Sequence, residues 1–353
     1  MRHVNQMTSA GEVLLLLPEQ ASRDYLPLLD PAVRFQTFHK PRLRQPFRQG
    51  LTALKLVREI RKFKPDVVHF QNGHLYFNFA LPLIKRCPLV TTIHDARQHL
   101  GDNESGNTPQ WIMDFGFRRA QHVIVHGRSL IETVVGQLGF APSHVHLIPH
   151  VALGELEQTP PIRDDRQSIL FFGRIWEYKG LEYLVRAAPQ VHAEFPDAKF
   201  IIAGRGEDLQ RYRQLIRRPD AFEIHNDWIS DAQRSELFAN CSMVVLPYIE
   251  ASQSGVIPLA YAFDKPVIAT DIGGLPDMVD HGQTGLLVPP RDADALARAI
   301  CHLLRDRQGR MQMGRLGKLK LVRDCSPAVV VAQTLDVYRQ AIASRRRIAT
   351  RKT

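Results

Sequence analysis

Two cationic side chains, Arg174 and Lys179, stand five positions apart in ILFFGRIWEYKG, residues 169–180, beyond an apolar run that closes on Gly173. A guanidinium and an ammonium at the end of a buried strand suit a ligand with several negative charges, such as a diphosphate. The alternative is a pair of solvated surface charges, and the spacing alone leaves both open. IIAGRGED, residues 201–208, is another apolar run, ending in a turn with Gly204 and Gly206 before Glu207. A lone GxG is most often just a tight turn. A third run leads through Glu250 to Ser254, Gly255 and Val256 at the start of an apolar helical pattern. The opening turn of a helix offers backbone N–H groups and the positive end of the dipole, which together favour a phosphate.

These residues need strands to hold them. Runs rich in β-branched residues occur at Val13–Leu17, Val67–Phe70, Leu89–Ile93, His122–Val125 and Val145–Ile148. A second series follows at Ile169–Phe172, Phe200–Ala203, Phe222–His225, Met243–Leu246, Val267–Ala269 and Gly285–Val288. Continuous apolar runs without polar alternation predict parallel strands covered on both faces. Between them lie amphipathic segments, as in 180–192, where Leu181, Leu184, Val185, Ala188 and Val191 recur at helical spacing. Strand–helix alternation predicts an α/β chain of two Rossmann-like domains. The expected domains are 1–155 and 156–330, joined by a Pro- and Asp-rich linker near 155–167. A helix and basic tail over 331–353 are expected to return to the first domain. In open parallel sheets, ligands bind beyond the carboxyl ends of the strands.

Composition narrows the classes. The chain has 353 residues, 44% hydrophobic and 23% charged, as a globular protein of two domains does. VLLLLP at 13–18 is far too short to cross a bilayer, and the N-terminus lacks the pattern of a secretory signal. Cys87, Cys241, Cys301 and Cys325 form no CxxC pair and are expected as reduced core thiols. His126, His144, His146 and His150 show no HExxH spacing and read as structural. A net charge of +10 draws polyanions: nucleic acid, anionic lipid or phosphorylated small molecules.

The ordered set FGRIWEYKG, AGRGE, the acid-led turn at Glu250, KPVIATDIGGLPD and GQTGLLV resembles the donor half of retaining GT-B glycosyltransferases of family 4. KPDVVHFQ, LVTTIHD and HVIVHGRS extend a looser similarity through the first half, so that it covers most of the chain. The resemblance implies a GT-B fold, two Rossmann-like domains facing each other across a cleft. It also implies a hexosyltransferase that takes a UDP- or GDP-linked sugar, with no cofactor and no metal. Arg174 and Lys179 would hold the diphosphate, with Gly173, Gly204, Gly206, Glu207, Glu250, Ser254, Gly255 and Val256 lining the donor site. His94 would hydrogen-bond the transferred sugar, and Asp95 and His99 would contact the acceptor. Two features depart from the pattern. Leu259 occupies the place of the glutamate that usually binds the ribose, and a leucine accepts no hydrogen bond. LLLLPEQASRDY lacks the glycine-rich loop expected after the first strand.

Retention without a placed nucleophilic carboxylate implies a front-face displacement, with domain closure across the linker excluding water. Residues 40–64 carry many Lys and Arg and only Glu59 as an acid. Within them Leu51, Leu54, Val57, Ile60 and Phe63 form an apolar stripe expected to pack on a sheet, with the cations around it. Family members acting on saccharide or polyprenyl-diphosphate-linked acceptors in surface-polysaccharide synthesis suggest a cytoplasmic protein, peripheral on the inner face of the cell membrane. A GT-B epimerase, or a non-enzymatic membrane- or nucleic-acid-binding protein, remain as alternatives. A dehydrogenase is disfavoured because no strand leads into GxGxxG. Nucleic acid is disfavoured because the basic runs hold no recognisable motif.

Overall fold

The computed structural model describes residues 1–20, 25–42, 44–71, 75–97, 108–151 and 167–350, with the side chains of 346–350 excepted. The chain forms two compact units. One takes Met1–Arg97, the segment ending at Val151 and everything from Ser326 onward; the other ends at Cys325. The boundary therefore falls between two helices, Arg307–Cys325 and Pro327–Thr350, rather than after residue 330. Proline is well tolerated in a first helical turn, where its missing N–H has no partner to lose. The linker expected near 155–167 lies, apart from Gln167, outside the described residues.

The first unit has two parallel sheets. β1 (Leu14–Pro18) pairs with β2 (Arg34–Phe38), and β3 (Val68–Gln71), β4 (Leu89–Ile93), β5 (His122–Val125) and β6 (Val145–Leu147) follow one another in order. β2 has no continuous apolar run, because RFQTF holds three polar residues and its first two positions are exposed. One face of the four-stranded sheet packs Val90, Ile124 and Ile148 against Val330, Val337 and Ala341 of the helix Pro327–Thr350. Elsewhere Ile93, Val123 and Val125 meet Leu130 and Val134 of the helix Arg128–Leu138.

The helix Pro46–Phe63 corrects one expectation. Leu56, Val57 and Ile60 are buried, but Leu51 and Leu54 are 67% and 58% exposed. Two side chains of the five-residue stripe thus face away from the sheet, because Ala53, Leu56, Val57 and Ile60 already complete the buried arc.

The second unit is a six-stranded parallel sheet with the order β12-β11-β10-β7-β8-β9. Its strands are β7 (Ser168–Phe172), β8 (Lys199–Ala203), β9 (Phe222–His225), β10 (Met243–Leu246), β11 (Val267–Thr270) and β12 (Gly285–Val288). The chain runs outward from β7 on one side, then returns to build β10, β11 and β12 on the other. This is a doubly wound sheet with its switch point between β7 and β10. Alternate side chains serve opposite faces: Ile169, Phe171, Phe200 and Ile202 join one core, and Leu170, Ile201 and Ala203 the other. Each buried Leu, Ile or Phe contributes roughly 1.5–3 kcal/mol, so a sheet covered twice is held from both sides. All four cysteines are free and buried.

At the amino end of β5, His122 Nδ1 lies 2.9 Å from Nε2 of His146 on β6. Burial lowers the His122 pKa from 6.5 to about 4, and the charges of His144 and His146 add to this. His146 is lowered by burial and by His144. Groups with folded pKa values below their unfolded ones favour folding above pH 6.5, and that contribution is lost as pH falls towards 4. The thermal midpoint should therefore fall between pH 7 and 5. His122→Asn with His146→Asn should flatten that slope, whatever its effect at pH 7; an unchanged slope would assign the acid sensitivity elsewhere.

Candidate functional site

The second unit brings together the loops beyond β7, β8 and β10. Ladder bonds continue past the strand ends: Gly173 N–H donates to Ala203 O (2.9 Å), Ile175 N–H to Arg205 O (3.0 Å) and Glu207 N–H to Ile175 O (2.9 Å). On the other side Ile249 N–H donates to Tyr178 O at 2.8 Å. Two glycines permit this contact. Gly204 has φ +145°, and a Cβ there would lie 1.9 Å from Gly173 O. Gly180 has φ +65°, and its Cβ would meet Pro247 O at 1.9 Å. No side chain fits at either place, so the segment carrying Arg174 and Lys179 is pressed against its neighbours on both sides.

Both cations meet tyrosines, Arg174 at a hydroxyl and Lys179 over ring faces. Arg174 Nη2 donates to Tyr178 Oη at 3.3 Å. Lys179 Nζ stands 3.7 Å from the Tyr248 ring centroid and 4.8 Å from that of Tyr178. Cation–π contact with a shielded ring is worth about 1–2 kcal/mol. Burial pushes the Tyr248 phenol up to about 12, with the Ser254 hydrogen bond and the Arg174 charge acting in the opposite direction. Tyr248 is therefore neutral at ordinary pH and presents an electron-rich face. Its hydroxyl lies 3.3 Å from Ser254 Oγ, which also accepts from Val256 N–H at 3.2 Å. Tyr178 and Tyr248 are absent from the sequence-derived set, although each flanks a chosen residue or strand end.

The remaining donor-side residues take varied places. Glu250 is half-buried in the turn after β10, between the loop of Tyr178 and that of Gly273. Glu207 has its carboxylate engaged: Tyr212 Oη donates at 2.5 Å and Arg211 at 2.9 Å. Gly206 packs against the Ile175 backbone and Gly255 precedes the short helix Val256–Ala262. Leu259 is buried in the core beside Tyr261 and Phe263, which accounts for an apolar residue at that position.

In the first unit His94 is half-buried just beyond β4, with Nε2 2.9 Å from Gln71 Oε1. Burial lowers its pKa to about 4, with His150 adding to the shift and Asp95 opposing it. Asp95 follows it in sequence, half-buried; His99 lies outside the described residues. The imidazoles of His94, His126 and His150 lie together, although sequence spacing marked the last two as structural. The overlooked signal is a histidine soon after each of three consecutive strands.

Residues 4–151 match the family described as Glycosyltransferase Family 4, and residues 166–306 match Glycosyl transferases group 1. An uncharacterised glycosyltransferase of Methanocaldococcus jannaschii is 30% identical over 306 residues, 79% of this chain and 76% of that protein. The chain belongs to the family 4 glycosyltransferases. Glycogen synthase of Mycobacterium tuberculosis is 26% identical over 82% of this chain and 72% of that protein. Among solved structures, sucrose-phosphate synthase of Thermosynechococcus elongatus superposes with a TM-score of 0.75 at 20% identity, covering 97% of this chain and 92% of that one. HepE of Anabaena, in complex with UDP and glucose, gives 0.69 at 18% identity over 93% of this chain and 100% of that one. The fold of this glycosyltransferase is accordingly GT-B, with two Rossmann-like domains.

The glycine contacts make a direct prediction. Gly204→Ala should cost the second unit more than about 3 kcal/mol in urea unfolding, because its methyl would overlap a carbonyl. Gly139→Ala, also at positive φ (+78°) but with nothing within 4 Å of the added carbon, should cost only about 1 kcal/mol.

Proposed function

We propose that this glycosyltransferase moves a hexose, with retention of configuration, from a nucleoside-diphosphate sugar to a saccharide or lipid-linked saccharide. The observation that carries the donor half is the seating of Arg174 and Lys179 beside the β7–β10 switch point. A diphosphate gains charge as the glycosidic bond breaks. Fixed cations held in advance stabilise that charge where it develops, without reorganising at the moment of reaction. The ligands of HepE support a uridine nucleotide as the donor carrier. With the clamp supplied by side chains, no metal ion is needed at the diphosphate.

The reaction proposed is a front-face displacement. The bond from the anomeric carbon to the diphosphate oxygen breaks, and the acceptor oxygen bonds to that carbon on the same face. The acceptor's proton passes to the departing phosphate oxygen. Glu250 would accept from sugar hydroxyls and His94 would hydrogen-bond a further one, so positioning carries most of the rate. Asp95 is proposed for acceptor contact. Ribose recognition falls to backbone groups or to Glu250, since Leu259 is committed to the core.

A peripheral membrane position is proposed on the helix Pro46–Phe63. Phe47, Leu51 and Leu54 are exposed along one stripe, and Lys55, Arg58, Arg61 and Lys62 are exposed beside and beyond them. An apolar stripe flanked by cations suits an anionic lipid surface, with each cation near it worth roughly 1 kcal/mol. No helix among the described residues is long and apolar enough to cross a membrane.

Arg174→Ala or Lys179→Ala should each lower kcat/KM by about 100- to 1,000-fold and weaken UDP binding, with the circular-dichroism spectrum intact. Unchanged turnover and nucleotide affinity in both variants would reject the clamp. Thermal shifts with UDP-glucose, UDP-N-acetylglucosamine and GDP-mannose should rank the donors. Vesicles containing anionic lipid should sediment the protein at low salt, and Leu51→Gln with Leu54→Gln should release it; equal sedimentation would remove this helix as the contact.

A further inference from the structure

The sheet of the first unit ends in a group of three histidines, two of which glycosyl transfer does not account for. His94 is the first residue after β4 and His126 the first after β5; His150 lies three beyond β6. β4, β5 and β6 are adjacent and parallel, with Ile93 opposite Val125 and Val125 opposite Leu147. The ladder continues through Ile148 N–H, which donates to Val125 O at 3.0 Å. Three imidazoles therefore emerge at one sheet edge, each within one or two strand widths of the others. One ring nitrogen from each falls within 4.8 Å of the other two. The ring centroids are 4.9 Å apart for His94–His126 and 5.0 Å for His126–His150.

Each ring has one nitrogen held against an oxygen. His126 Nδ1–H donates to Ile148 O at 2.8 Å, and His150 Nδ1 lies 3.0 Å from Val151 O. Both contacts leave the lone pair on Nε2. His94 Nε2 is turned to Gln71 Oε1 at 2.9 Å. A backbone carbonyl or side-chain oxygen on the outer nitrogen is the arrangement that aims an imidazole at a metal ion. Burial holds His94 at a pKa of about 4 and His126 at about 3, with His150 contributing to each, so both are neutral at pH 7. Neutral imidazole is the ligating form.

We propose that His94, His126 and His150 bind one divalent transition-metal ion of the zinc class, with the fourth position open to water. Bonds of 2.0–2.1 Å in a tetrahedral site bring ligand nitrogens to about 3.3 Å of one another, so small side-chain rotations close the site. Imidazole donors without a carboxylate or thiolate favour zinc, cobalt, nickel or copper over magnesium or calcium. The site lies wholly in the first unit and does not rest on the diphosphate clamp. His94 alone also has a place in the glycosyl-transfer reading, and its two ring nitrogens cannot serve Gln71, a metal ion and a sugar hydroxyl at once, so metal and sugar would compete for it; His126 and His150 have no part in that reading.

The test uses tag-free, full-length protein stripped with a chelator and titrated with zinc against a chromophoric competitor, then with cobalt. One zinc per chain and the visible bands of four-coordinate cobalt are expected. His126→Asn and His150→Asn should each weaken zinc binding at least about 100-fold, while His146→Asn, at the middle of β6, should stay within about threefold. Should either Asn variant unfold, the corresponding Gln variant is read by thermal midpoint, which zinc should raise in the natural protein and leave unmoved in the variant. The proposal is overturned if the natural protein takes up no stoichiometric zinc. Equal affinity in the natural protein and both variants, or an equal loss in His146→Asn, overturns it as well.

Discussion

The second unit depends on backbone meeting backbone at the carboxyl edge of its sheet. Three loops, beyond β7, β8 and β10, are closer together than any side chain would permit, and glycines at 180 and 204 make that possible. The approach carries the strand ladder several residues past the strands themselves. A loop tied on both sides has little freedom left to lose when a ligand arrives, and preorganisation of this kind is what makes electrostatic stabilisation effective.

Holding two cations on one such loop has a cost, since like charges repel and neither can be fully desolvated unpaired. Tyr178 touches both Arg174 and Lys179, and Tyr248 takes Lys179 on its face. Aromatic faces attract cations without neutralising them. The nearby acid Glu207 is bound to Tyr212 and Arg211.

The first unit is built differently. Its sheet edge gathers imidazoles rather than glycine turns, and burial keeps several of them uncharged: His69 and His126 are lowered to about 3 and His94 to about 4. His69 is held by Thr92 at 2.8 Å and by Tyr338 at 2.7 Å, so the helix Pro327–Thr350 reaches back from the end of the sequence into this group. Removing that helix would uncover Val90, Ile124 and Ile148 as well as His69.

Much of this was readable from the chain alone. The runs that became β4, β5, β9, β10 and β12 have the limits their composition suggests; β10 and β12 are apolar throughout, as a strand covered on both faces is. The partly exposed strand β2 was not readable, since Arg34, Gln36 and Thr37 interrupt any apolar run. Arg174 and Lys179 could be marked because a strand end, a glycine and two cations are neighbours in sequence. Tyr178 and Tyr248 could be chosen only once β7 and β10 were known to lie side by side. Likewise His94, His126 and His150 are far apart along the chain and meet because β4, β5 and β6 are adjacent, and Leu51 and Leu54 face outward because other residues filled the buried arc. Local pattern thus determined which segments are strands, which residues end them and which family the chain resembles. Strand order and the filling of the core, which depend on burying the whole sheet at once, decided which side chains share a site.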